Sequence, residues 1–150
     1  MVHVEGEIVI NRPVETVFDF VADECNEPRY NPRMLRAEKL SEGPIGLGTR
    51  FKAEVDSGGR PVEMIIEITT YDRPHRLSSL TRLSLMDISG TLTFAPAGDG
   101  THMQWFWDVK PHGLFKLMTP FIGFTGKRQE KRIWGDLKRY LESHDTQGQV

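Results

Sequence analysis

The side chains that could carry acid–base chemistry in this sequence are His75, Asp87, His102, Asp108 and His112, joined by Tyr30 and Glu130. A general acid or base needs reach to its substrate and a tuned pKa, and the local pattern argues against most of them. His102 and Asp108 fall on the strand parity opposite Trp105, which predicts exposure. His75 follows Pro74 in a turn and reads as a surface group. Asp87 and His112 occupy strand ends or loops, where most charged groups are simply solvated. Glu130 is different. Helical spacing sets it between Gly126, Ile133 and Leu137 on an apolar arc, where an unpaired carboxylate is costly unless it has a partner, water or a cavity to face.

Other chemistries find less support. No two histidines show H-x-x-x-H spacing and Cys25 has no second thiol, so neither a metal site nor a cofactor is expected. Cys25 itself reads as a small buried residue. Gly46-Leu47-Gly48 lacks the G-x-G-x-x-G order and the following helix of a nucleotide loop, and is read as a hairpin connection. With 19 basic against 21 acidic residues the net charge is −2, which argues against nucleic acid as a partner. The first residues, MVHVEGEIVI, lack the basic and apolar regions of a secretory signal, and no apolar run is long enough to span a bilayer. A cytoplasmic location is expected.

The elements that must position these groups can be read from periodicity. At 150 residues, 38% apolar and 27% charged, the chain has the size and composition of one domain that buries its own core. His3 to Ile10 alternates as a half-buried strand, with Val4, Gly6, Ile8 and Ile10 inward. Asn11, Arg12 and Pro13 resemble a helix cap with Pro in the first turn, and Val14, Val17, Phe18 and Val21 repeat at helical spacing up to Asp23. Asn26 to Pro32 predicts a second helical turn or a shaped loop. From Met34 to Val109 turn signals break the chain into a meander of strands. Phe51, Ala53 and Val55 share one face; so do Val62, Met64, Ile66 and Ile68, then Ile88, Gly90, Leu92 and Phe94, then Met103, Trp105, Trp107 and Val109. Leu77 to Leu83 is ambiguous.

Leu114 to Ser143 is the longest helical pattern. Ile133, Trp134, Leu137, Tyr140 and Leu141 form one arc, and Lys127, Arg128, Lys131, Arg132, Lys138 and Arg139 lie opposite as a solvated basic face. Gly123 and Gly126 near the apolar arc either let the helix approach the sheet or leave volume for a ligand. The same wheel throws Leu117, Phe121 and Phe124 onto the basic side, which predicts a kink near Pro120 to Gly123. Residues 1–143 are expected to form one domain, and 144–150 a disordered tail. Strand, short helix, strands and long helix in that order make an α+β fold in which the last helix covers the sheet.

Three stretches carry a family resemblance. Ile10-Asn-Arg-Pro-Val-Glu-Thr-Val-Phe-Asp-Phe20 resembles the strand-to-helix entry of the SRPBCC superfamily, the START-related and pollen-allergen-like proteins that include polyketide cyclase/dehydrase and lipid-transport members. Gly46-Leu-Gly-Thr-Arg-Phe51 resembles its second hairpin, and Asp136-Leu-Lys-Arg-Tyr-Leu-Glu142 its helix end. The sequence departs from the family in having Tyr30 where Trp is common. The resemblance implies a helix-grip fold: a curved seven-stranded antiparallel sheet around a long C-terminal helix, with a hydrophobic cavity between them. Parity and resemblance together imply a lining of Met64, Ile66, Ile68, Trp105 and Trp107 from the strands. Met118, Phe121, Ile122 and Glu130 are implied from the C-terminal segment, with Tyr30 at the mouth.

The expected function is binding or carriage of a hydrophobic small molecule, a lipid, polyketide or aromatic metabolite. The alternative is a polyketide cyclase or dehydratase using Glu130, Tyr30 or Asp87 as acid or base. A third reading is an interaction module, through weak contact of the basic helix face with an anionic membrane or through a homodimer on the Leu117, Phe121 and Phe124 stripe.

Overall fold

A computed structural model describes the backbone of residues 2–144, and the side chains of these except 114, 115 and 118–124. The expected tail lies, apart from its first residue, His144, outside the described residues. Alternation makes Val2–Ile10 the first strand, β1, with Val2, Val4 and Ile10 buried and His3, Glu5 and Glu7 turned outward. Helix α1, Val14–Ala22, buries Val14, Val17, Phe18 and Val21 on its apolar stripe. Its N-cap is Pro13, and no side chain caps it. The cap expected around Asn11 is therefore absent. Asn11 and Arg12 are drawn to the far end of the chain instead: the Asn11 backbone N–H donates to Glu142 Oε2 at 2.8 Å, and the Arg12 guanidinium to the Glu142 carbonyl at 2.8 Å.

A 3-10 helix follows over Glu24–Arg29, capped by Asp23, whose carboxylate accepts the Cys25 N–H at 3.0 Å. The chain then lays down β2 (Met34–Lys39), β3 (Arg50–Ser57), β4 (Arg60–Asp72), β5 (Arg76–Arg82), β6 (Met86–Ala97) and β7 (Gly100–Pro111). All neighbours are antiparallel, and the sheet order is β1-β7-β6-β5-β4-β3-β2. The ambiguous stretch near Leu77 is a strand because it is paired on both sides, Leu77 standing opposite Tyr71 and Leu92. A bulge between Ile68 and Thr70 shifts the parity of β4. Tyr71 rather than Thr70 therefore joins the core, where its ring lies edge-on to Phe18 at 5.3 Å between centroids.

A second 3-10 helix, Gly113–Met118, leads into α2, Thr119–Ser143. The kink expected between Pro120 and Gly123 is thus a change of helix type just before Pro120, which falls in the first turn where its missing N–H costs no bond. Ile133, Trp134, Leu137 and Leu141 are all buried against the sheet. The basic face is only partly solvated. Lys138 is half-buried and its ammonium donates to the Val9 carbonyl at 2.7 Å and to Glu142 at 2.6 Å, pinning the helix to β1. No described helix is long and apolar enough to cross a membrane.

Candidate functional site

Helix and sheet meet tightly at one end and part at the other. Near the C-terminal end of α2 the core is solid: Ile10, Phe18, Phe94, Met103, Leu137 and Leu141 are at most 1% exposed. Toward its N-terminal end two adjoining hollows open. The inner chamber, about 150 Å³, is walled by Phe51, Ile66, Ile68, Leu77 and Leu92 from the strands, Val21 and Ala22 from α1, and Ile133 and Trp134 from α2. The outer chamber, about 440 Å³, is walled by Val4, Val55, Val62, Met86 and Val109, with Gly126 and Gln129 from α2 and Arg33 and Ser57 toward solvent. Ile88, Trp107 and Glu130 border both.

Two glycines decide where the indoles lie. Trp107 on β7 stands opposite Gly90 on β6, and its ring occupies the space a side chain there would need: a Cβ on Gly90 would fall 1.6 Å from the ring. Trp105 lies over Gly6 on β1 in the same manner, with 2.4 Å to an added Cβ. Neighbours of equal parity thus lean to opposite sides. Trp107 reaches the chambers, whereas Trp105, 2% exposed, packs at 6.0 Å from the Trp134 ring and fills core. Trp105 borders neither chamber, which corrects its expected place in the lining. Gly126 serves both expected ends, since it borders the outer chamber and an added Cβ would come 3.3 Å from Val4.

Of the other residues singled out by sequence, Tyr30, Met64, Ile66 and Ile68 border the inner chamber. Met118, Phe121 and Ile122 lie outside the described side chains. Asp87 and His112 meet each other at 3.5 Å at a strand end and border neither hollow. His102 faces Glu7, and Asp108 pairs with His3, on the outer side of the sheet. Among the described residues no cluster of His, Cys, Asp and Glu could hold a metal ion.

The polar part of the site is acidic. Glu24 and Glu27 join Glu130 in the wall of the inner chamber, and sequence reasoning missed both. Their spacing held the signal. A 3-10 helix has three residues per turn, so Glu24, Glu27 and Tyr30 fall on one face. Asn31, 4% exposed, donates from Nδ2 to Glu27 Oε2 at 2.7 Å and accepts the Arg33 N–H at 3.1 Å, which fixes that carboxylate. Burial raises the pKa of Glu24 well above the usual carboxylate range, and its charge and hydrogen-bond contact with Glu27 add to the rise. Burial likewise lifts Glu130 to about 7, the Glu27 charge adding to it, while the indoles of Trp107 and Trp134 pull it back. Even so, neither indole Nε1 makes a hydrogen bond. Burial and the negative charges of Glu27, Glu24 and Glu130 keep the Tyr30 hydroxyl protonated. At neutral pH the site therefore holds one carboxyl poised between its two states, a second whose neutral form burial favours, and a phenol that stays protonated.

An open antiparallel sheet wrapped over a long C-terminal helix, with a hollow between them, defines the helix-grip class. Residues 1–142 match the family described as polyketide cyclase / dehydrase and lipid transport, and the chain belongs to it. Solved structures agree on the fold. A START superfamily protein from Mycobacterium smegmatis, 16% identical, superposes with a TM-score of 0.82 over 94% of this chain and 97% of its own. A protein from Thermus thermophilus, 18% identical, gives 0.81 over 96% and 99%. The Zhui aromatase/cyclase from a Streptomyces species, 15% identical, gives 0.78 over 93% of each chain.

Proposed function

We propose that the protein binds and carries an apolar small molecule in the two chambers between sheet and α2. The observation that supports this is the pair of hollows: about 440 Å³ of largely apolar outer chamber beside 150 Å³ of inner chamber, with Ile88, Trp107 and Glu130 bordering both. Ligand pockets range over about 300–1,000 Å³ and are mostly apolar with a few polar anchors. A residue set meant only for packing would close such a space, since an unfilled hollow forfeits dispersion contacts along its walls. Membership of a family described by lipid transport as well as cyclase chemistry is consistent with carriage.

A panel of lipids, polyketide-like phenols and aromatic metabolites tests the reading. A ligand held at a hundred times its Kd should stabilise the protein by about 2.7 kcal/mol, visible as a rise in Tm, and should perturb the fluorescence of Trp107. Failure of the whole panel to move either signal, together with a crystal structure in which side chains fill both chambers, would sink it.

One observation favours a second reading, cyclase- or dehydratase-type acid–base catalysis. Glu130 titrates about where a catalytic base should, with the Tyr30 phenol bordering the same chamber. A Glu130→Gln variant with undiminished turnover on an identified substrate would remove it.

A further inference from the structure

A wall that served only to hold hydrocarbon would have no use for carboxylates, yet Glu24, Glu27 and Glu130 all border the inner chamber and Glu130 borders the outer one too. Burying an acidic group without a partner is costly, and the cost is normally met by an Arg or Lys. Here none meets it. The Glu27 charge acts on Glu130, and those of Glu27, Glu24 and Glu130 act on Tyr30, all of them negative. The cation at the rim of the outer chamber, Arg33, is already committed to the Gln129 side-chain oxygen at 2.9 Å and the Asp56 carbonyl at 3.1 Å. Glu27 is held by the neutral amide of Asn31, not by a charge.

Independently, the aromatic wall is arranged around the same spot. Tyr30 and Trp134, each 5% exposed, stand with ring centroids 6.2 Å apart, and Trp107 borders the junction from the sheet. The indoles of Trp134 and Trp107 lie against Glu130 and favour its ionised form, while their rings line the hollow. Aromatic rings beside uncompensated carboxylates are the surroundings in which an organic cation is stabilised both by the rings' negative faces and by charge. An anion would be repelled there. A neutral guest would leave the carboxylates uncompensated.

We propose that the junction of the two chambers binds the cationic head of an amphiphile, a quaternary or protonated organic ammonium whose apolar body lies in the outer chamber. This rests on the reading of the chambers as a ligand cavity and names the class of ligand. Size agrees: a cavity of about 150 Å³ takes a guest the size of benzene, comparable to a trimethylammonium group, and the larger chamber takes the rest. Glu130 supplies the charge. A bound cation favours its ionised form, so at neutral pH binding expels a proton, and affinity for the cation increases with pH through the region around 7 where Glu130 titrates. The groups facing Glu130 are Glu24, Glu27 and Tyr30 from the first 3-10 helix and the residue that ends it, Trp107 from β7, and Trp134 and Gln129 from its own helix, with Arg33 at the rim. Among the described residues no histidine borders either chamber, so the pH response is that of carboxyls.

The test compares three probes of one shape: 3-phenylpropyl-trimethylammonium, its neutral isostere 4,4-dimethylpentylbenzene, and the anion 4-phenylbutanoate, each titrated into the full chain at low salt. The cation should bind roughly tenfold tighter than the isostere at about pH 8 and the anion not measurably; the cation's advantage should fall at least several-fold at about pH 6. Calorimetry in two buffers of different ionisation enthalpy should register proton release with the cation alone, a proton the quaternary probe cannot itself supply. In Glu130→Gln the preference should drop to roughly twofold or less because the cation loses affinity, with the melting curve confirming the fold. Equal binding of cation and isostere, or a preference that survives in Glu130→Gln, overturns the proposal and leaves the apolar cavity standing. Binding of none of the probes also overturns the cation proposal, while the apolar cavity is decided by the wider panel and the crystal structure.

Discussion

The two ends of α2 rest on the same sheet and meet opposite fates. At the C-terminal end Leu137 and Leu141 close against Phe18, Phe94 and Met103 in one continuous core. At the other end Thr125, Gly126, Gln129 and Glu130 present small or polar groups to a hollow that the sheet does not fill. One amphipathic helix thus does two jobs, and what separates them is side-chain volume along the arc, not its direction. The filled end holds the fold, while the hollow end is free to hold something else.

The contrast is sharpest under truncation. Leu137, 0% exposed, should cost about 2–5 kcal/mol when changed to Ala, because the removed methyls leave a cavity in close-packed surroundings. Met64→Ala, in a wall that already borders empty space, should cost less than about half as much. Urea or guanidinium melts that gave equal losses would erase the distinction between the two ends.

Charge separates them next. The folded protein keeps Glu130 protonated up to about 7, against 4.5 for an ordinary glutamate. Its neutral form is tolerated and its charged form is not, so this contribution to stability is intact below about pH 4.5 and is lost as pH climbs to about 7. Glu130→Gln should therefore stabilise the protein by up to about 3 kcal/mol above neutral pH, by little below pH 4.5, and flatten the slope between. The raised pKa of Glu24 leaves a slope of the same sign in that variant. Melting temperatures across that pH range read both, and a Glu130→Gln protein no more stable than the parent at about pH 8 would contradict the burial of the carboxyl.

The smallest effect is also the most discriminating. An added methyl at Gly90 would meet Trp107 at 1.6 Å, and one at Gly6 would meet Trp105 at 2.4 Å. Contact distance alone ranks Gly90→Ala as the worse change. Yet Trp107 can yield into the chambers whereas Trp105 has core on every side, so Gly6→Ala should cost about 1–3 kcal/mol and Gly90→Ala less. Gly90→Ala should instead diminish ligand binding, as read by titration against the parent. The reverse order of stabilities would mean that the chambers do not give.

Most of the architecture was written in period-two and period-3.6 patterns, because a half-buried strand and an amphipathic helix each need one side apolar. That is why the faces of β1, β3, β4, β6 and β7, and the placing of Glu130 on the inward arc of α2, could be read without coordinates. What parity does not encode is which of two equivalent inward side chains points where. Trp105 and Trp107 share a face, and only their cross-strand partners, Gly6 and Gly90, which depend on register, send one into core and the other to the hollow. Glu24 and Glu27 escaped for another reason. They sit in a segment too short to show a period against its surroundings, and acidic residues near prolines look like solvated loop. The bulge after Ile68 similarly hid Tyr71, since a parity count continues past a step that the backbone does not take.

The clasp at Glu142 bears on how the chain is made. Its carboxylate and carbonyl hold Asn11 and Arg12, the first of them 131 residues away in sequence, and β1, at the edge of the sheet, pairs with β7. Neither bond can form until residue 142 has left the ribosome. β1 likewise waits for β7, and α1 for Tyr71 and Phe94, so folding is dominated by distant pairings and is slow for a chain of this length. Chaperone capture of nascent chains should accordingly fall once residue 142 has emerged and the clasp can close.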